Sequence, residues 1–256
     1  MFDVDELNQT LGRFFAQANS AMATGAALSE SVPATTLPAE QRGQEQLSLD
    51  GKCLRGTCDA DTFPAVSACH VLALYNVTHG HVLRQIVIDG PGDEQPAGVD
   101  LLHGLDLRHS MITSDAPHTR PLLCRQILAQ GGDYLLIAKQ NQPTLHNDIV
   151  LLGSERPAPW LPEQQIHQVS KGHGRLEIRQ LRVSAELNDY LMPHWPAVTQ
   201  VFQLQRQVIR RQWATVEFIY SLTSLPATVA SPARLLQFLR HHWREPSGGE
   251  NRPHRR

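Results

Sequence analysis

The sequence predicts an α/β domain built on a mixed sheet with flanking helices. Three observations carry that reading. Short apolar runs occupy residues 46–50, 67–77 and 81–88, and Thr78-His79-Gly80 joins the last two with the chemistry of a hairpin turn. Further along, buried strand-like runs at 110–115 (SMITSD) and 133–139 (DYLLIAK) alternate with helical stretches. Strands that alternate with helices are joined by crossovers, and a crossover makes its two strands parallel. An antiparallel meander that passes into parallel strands is a mixed sheet, and the helices are left to cover it.

The elements follow in order. Residues 3–18 place Leu7, Leu11, Phe14, Phe15 and Ala18 on one side of a helix. Residues 19–45 are rich in Ala, Ser, Thr, Gly, Pro and Gln and read as a linker or loose loop. The strand at 46–50 ends on Asp50, and the hairpin of 67–77 and 81–88 follows it. Residues 96–105 (PAGVDLLHGL) form a short helix, and the strand at 110–115 ends on Asp115. Residues 117–130 are helical and are closed by Gly131-Gly132. After the strand at 133–139, residues 143–152 begin with Pro and turn helical. From 164 to 225 the runs IRQLRVSA, TQVFQLQRQVI and WATVEFIYSLTSL are strand-like. Residues 231–243 (SPARLLQFLRHHW) put Ser at the cap and Pro at the first helical position, which predicts a last helix.

Composition narrows the function classes. A chain of 256 residues, 41% hydrophobic, suits one large globular domain or two small ones. No apolar run approaches the 18 or so residues of a membrane span, and the acidic start MFDVDEL has no signal-peptide character. A cytoplasmic location and no membrane partner are expected. Cys53, Cys58, Cys69 and Cys124 make no CxxC pair, so they read as packing residues and not as zinc ligands. The thirteen histidines include no HExxH, and Ser221 and Ser224 have no GxSxG context. A net charge of −2 is slight support for a nucleic-acid partner, although Arg206, Arg210, Arg211, Arg234, Arg240, Arg244, Arg252, Arg255 and Arg256 crowd the C-terminal fifth.

Two carboxylates stand out. Asp50 and Asp115 each end a strand-like run, where a sheet presents side chains into a crevice. If the strands are neighbours, the pair can share divalent ions for phosphoryl transfer, and Mg²⁺ takes such hard oxygen ligands. Each acid also has a plain structural reading. Asp50-Gly51 is a good hairpin turn, and Asp115-Ala116-Pro117 is a good helix cap. Lys52 and Arg55 lie close behind Asp50 as phosphate contacts or as solvated side chains. Lys139 and Asn141 belong to KQNQ at a strand end, where the amides cap the next helix or touch DNA. Lys171-Gly172-His173-Gly174 has turn chemistry, and the strand after it carries Glu177 and Arg179 on one face.

The stretches LSLDGKCLRG, DEQPAGVDLLHGLDL, ITSDA, GGDYLLIAKQNQPTL, KGHGRLEIR and LRHHW occur in one order over residues 46–243. In that order the chain resembles the H-repeat-associated proteins, DDE transposases of a bacterial insertion-sequence group. The resemblance implies an RNase H-like fold with a β-rich insertion, about 160–225, before the last helix. It also implies a DDE site that cuts and joins double-stranded DNA, at element ends and target, with Mg²⁺ or Mn²⁺. Asp50 and Asp115 match the first two acids and the metal ligands. His173, Arg175 and Arg179 fall in the DNA-contacting part, and a homodimer is compatible with it. The family's last helix continues through His-Trp, one residue, Ile and Glu-Asn. Here His242-Trp243-Arg244 runs into Glu245-Pro246, so Glu245 is the nearest third acid, at a position where Pro246 disfavours helix. Glu177 is the runner-up. The expectation is a catalytic domain over 46–256, preceded at 1–45 by the remnant of a helical leader, and truncated at both ends. A catalytically dead DNA-binding remnant and a Mg²⁺-dependent hydrolase are the alternatives.

Overall fold

A computed structural model describes residues 42–54, 69–88, 94–155, 162–172, 174–211 and 213–243. The helix expected at 3–18 and nearly all of the linker lie outside them.

The first three strands are β1 (Glu45–Leu54), β2 (Cys69–Asn76) and β3 (His81–Ile88), an antiparallel meander. The β2–β3 turn is held by the Asn76 side chain, whose Oδ1 accepts from His79 N at 2.9 Å, and by Gly80 at φ +77°. Then come α1 (Glu94–Leu102), β4 (Ser110–Ser114), a 3₁₀ turn (Ala116–His118), α2 (Pro121–Ala129), β5 (Asp133–Ala138) and α3 (Pro143–Glu155). β4 runs parallel to β1 and β5 parallel to β4, as the helix–strand alternation requires. β6 (Gln165–Gly172), β7 (Arg175–Ser184), the single turn α4 (Asn188–Leu191), β8 (Gln200–Arg210) and β9 (Trp213–Thr223) follow, and α5 (Pro232–His242) closes the series. The Ser231 side chain caps α5 by accepting from Arg234 N.

The sequence runs at 164–225 fold into more than a separate hairpin set. β9 pairs antiparallel with β5, so all nine strands form one sheet in the order β3-β2-β1-β4-β5-β9-β8-β7-β6. A buried latch fastens this join. Arg42 bonds Asp133 at 2.5 Å, and the Ser224 hydroxyl donates to Asp133 Oδ1 at 2.7 Å.

The core has two parts because strand side chains alternate. Leu47, Leu49, Leu72, Leu74 and Ile112 pack with α1, α2 and α3. Met111, Leu135, Ile137, Leu181, Leu204 and Ile219 pack instead with Leu235, Leu236, Phe238 and Leu239 of α5. Cys124 is buried in the first part, which pushes its thiol up to about 12, so it is inert packing at neutral pH.

Candidate active site

The turn reading of Asp50 is overturned. Asp50 lies inside β1, opposite Ala73 of β2. The cap reading of Asp115 holds for the backbone alone. Asp115 occupies the N-cap position of the 3₁₀ turn, extended at φ −72° and ψ 167°, but its side chain makes no capping hydrogen bond.

The strand register instead brings the two acids to neighbouring positions. The last parallel pair between β1 and β4 is Leu49 with Ser114. Asp50, inside β1, and Asp115, just past the end of β4, are the next residues along. The alternation of LSLD fixes the face. Leu47 and Leu49 go to the first core, whereas Gln46, Ser48 and Asp50 go to the α5 side. Thr113 and Asp115 do the same on β4.

His242, at the end of α5, reaches down onto this polar row. Its Nδ1 lies 2.9 Å from Ser48 Oγ and 3.1 Å from Thr113 Oγ1, and its Nε2 lies 3.4 Å from Asp115 Oδ1. The imidazole is 4% exposed, whereas the Asp115 side chain is 39% exposed and open to a ligand. Burial raises the Asp115 pKa, but the hydrogen bond and charge of His242, with the charge of Lys139, outweigh it. The net shift is downward, so the carboxylate is ionised at neutral pH. Burial pushes the neighbouring His118 down to about 4, partly opposed by Asp115.

The KQNQ stretch serves this row. Asn141 donates to the carbonyl of Ala116, and Gln142 Nε2 donates to Thr119 O at 3.1 Å. Both amides staple the segment that follows Asp115. The side chain of Asn141 is thereby a loop anchor and not a helix cap. Lys139 is exposed beside Asp115, and Lys52 is exposed on β1, two residues past Asp50. Arg55, His173 and Glu245 lie outside the described residues.

Glu177 does not join the pair. Three strands separate β7 from β4. Its carboxylate is taken by Arg206, by Arg179 at 2.7 Å and by Arg175 at 3.8 Å. Among the described residues no three His, Cys, Asp or Glu side chains are grouped to hold an ion. Arg175 and Arg179 sit with Glu177 in an ion cluster on the β6–β9 part of the sheet. The sequence reading missed His242, Ser48 and Thr113. The signals were the strict alternation of LSLD and ITSD and the LRHHW end of the last helix.

The two carboxylates are hard oxygen donors on adjacent strands, with Asp115 ionised and accessible. That donor set fits Mg²⁺ or Mn²⁺. No helix among the described residues is long and apolar enough to cross a membrane.

A family model described as "Transposase DDE domain" matches residues 34–244. The "H repeat-associated putative transposase YhhI" of Escherichia coli (strain K12) is 30% identical over 212 residues, 78% of this chain and 53% of its own. The "H repeat-associated putative transposase YbfD" of the same strain is 30% identical over 152 residues, 58% of each chain. An "Uncharacterized protein in dhlA 3'region" of Xanthobacter autotrophicus is 34% identical over 163 residues, 63% of this chain and 54% of its own. The chain thus spans little more than half the length of these relatives. Among solved structures, the sugar N-methyltransferase KedS8 from Streptoalloteichus sp ATCC 53650 aligns at 15% identity over 52% of this chain and 47% of its own. Its TM-score is 0.21, too low to speak for a common fold.

Proposed function

The chain belongs to the transposase DDE domain family, and from that premise we propose that it builds the DNA-cutting and DNA-joining face of an insertion-sequence transposase. One observation supports this above the rest. Asp50 and Asp115 each follow the last parallel pair of two adjacent strands, Leu49 with Ser114, and His242 of α5 reaches Asp115 there. The strand order β3-β2-β1-β4-β5, antiparallel to the left of β1 and parallel to its right, supports an RNase H-like core. β6 to β9 then correspond to the β-rich insertion. Residues 46–256 make the catalytic domain, and 1–45 its leader.

A divalent cation at the carboxylate pair supplies Lewis-acid polarisation of the phosphodiester and activation of the attacking oxygen. The chain's own residues do the rest. Asp50 and Asp115 fix the donor positions, and Glu245 is assigned as the third carboxylate. Asn141 and Gln142 hold the Asp115 loop still. Lys139 and Lys52 neutralise phosphates of the double-stranded DNA beside the site, while Arg175 and Arg179 contact its backbone farther along the sheet.

The test is cleavage, by the full chain, of a linear duplex carrying the genomic flanks of its own gene, with Mg²⁺ or Mn²⁺. Strand cleavage is expected, and Asp50→Ala or Asp115→Ala is expected to reduce it roughly 100-fold or more. Salt-sensitive DNA binding without cleavage would replace this reading with that of a DNA-binding remnant.

A further inference from the structure

We propose that His242 is a positioning residue. It fixes the Asp115 carboxylate from the opposite layer of the fold, through its Nε2. The inference rests on the two-acid reading above and deepens it.

The proton assignment follows from the neighbours. Nε2 faces a carboxylate, which only accepts, so Nε2 must carry hydrogen. On the other side of the ring, Nδ1 is held against the Ser48 hydroxyl, 2.9 Å away, and the Thr113 hydroxyl, 3.1 Å away. The Thr113 hydroxyl donates to Leu47 O at 3.3 Å, and its oxygen accepts from Gln46 Nε2 at 3.3 Å. The same Gln46 amide donates to Phe238 O of α5 at 2.9 Å, which fixes the helix over the row one turn before His242. A ring with a bare Nε2 would set its lone pair against the carboxylate. Outer partners of this kind fix the direction and basicity of a metal-binding group. The trio of Ser48, His242 and Asp115 has the composition of a nucleophilic triad. Ser48 is 4% exposed beneath α5, however, so it holds the ring and does not meet a substrate.

Two measurements on the full chain test this. In ¹⁵N-histidine NMR at neutral pH, the His242 ring, assigned by its loss in His242→Gln, is expected to show a protonated Nε2. A bare Nε2 overturns the proposal. In Mn²⁺ titrations, His242→Ala is expected to weaken binding about 10-fold or more, and His242→Gln, whose amide N–H replaces Nε2–H, to stay within about threefold of the wild type. Melting in EDTA shows that both variants are folded. Equal Mn²⁺ affinity in all three, with binding lost in Asp115→Ala, sinks the role of His242 and leaves the acid pair standing. A wild type that takes up no Mn²⁺ sinks both.

Discussion

Glu177 is held by three guanidinium groups, from Arg206, Arg179 and Arg175, with its side chain only 5% exposed. Burial raises its pKa, but the hydrogen bond and charge of Arg206 and the charges of Arg179 and Arg175 outweigh burial, and the net shift is downward. A carboxylate with a depressed folded-state pKa stabilises the fold above its unfolded value, about 4.3, and loses that contribution as the pH falls through the folded value. Glu177→Gln is therefore expected to cost about 1–3 kcal/mol at pH 7. The difference should narrow as the pH is lowered below about 4.3. Urea midpoints of both proteins between pH 7 and pH 3 check this, and a gap independent of pH would contradict it. The spacing of LEIR already puts Glu177 and Arg179 on one face. Arg206, which comes from the facing strand 29 residues on, is invisible until the β7–β8 register places Arg179 opposite it.

At the scale of elements, the punctuation of the chain is local and so was readable. The Gly131-Gly132 close of α2 is the clearest case. Gly131 N bonds Leu128 O and Gly132 N bonds Ile127 O, with Gly131 at φ +82°, the paired hydrogen bonds of a Schellman end. This close aims the chain into β5, next to β4 and its Asp115. The two glycines serve for different reasons. Gly131→Ala meets the left-handed backbone penalty and is expected to cost about 1–2 kcal/mol. A Cβ at Gly132 would lie 2.9 Å from Leu107 Cβ and 3.1 Å from Ile127 Cγ2, both in the packed core. Gly132→Ala is expected to lower the melting temperature more than Gly131→Ala does. A smaller drop at 132 would mean that the α2–β5 corner relaxes freely. The β2–β3 hairpin was readable for the same reason. The pairing of β5 with β9 was not, because it joins residues more than 80 apart and no local pattern specifies it. The latch of Arg42, Asp133 and Ser224 shares that fate.

For the molecule as a whole, the proposed function raises the question of how a chain of net charge −2 would hold a polyanion. Its average charge contributes nothing, so affinity must come from where the cations sit. The nine-stranded sheet gathers them on the α5 side. Lys139 follows β5 beside Asp115, Lys52 follows Asp50 along β1, and the arginines of β7 and β8 continue the row, with Arg240 of α5 bonded to Gln168 of β6. None of this is visible in composition, since only the sheet order brings residues 52, 139 and 206 to one side. Each lysine that neutralises a phosphate contributes about 0.9 to the slope of log affinity against log salt. Lys139→Ala and Lys52→Ala are each expected to weaken binding to any duplex sequence about equally and to flatten that slope by roughly one. Lys139→Ala should also slow cleavage more than it weakens binding, since its charge also favours the ionised form of Asp115. Fluorescence anisotropy of a labelled duplex between 50 and 200 mM salt, read beside the cleavage assay, separates the two effects. An unchanged salt slope in both variants would move the DNA track off this face and onto another side of the sheet.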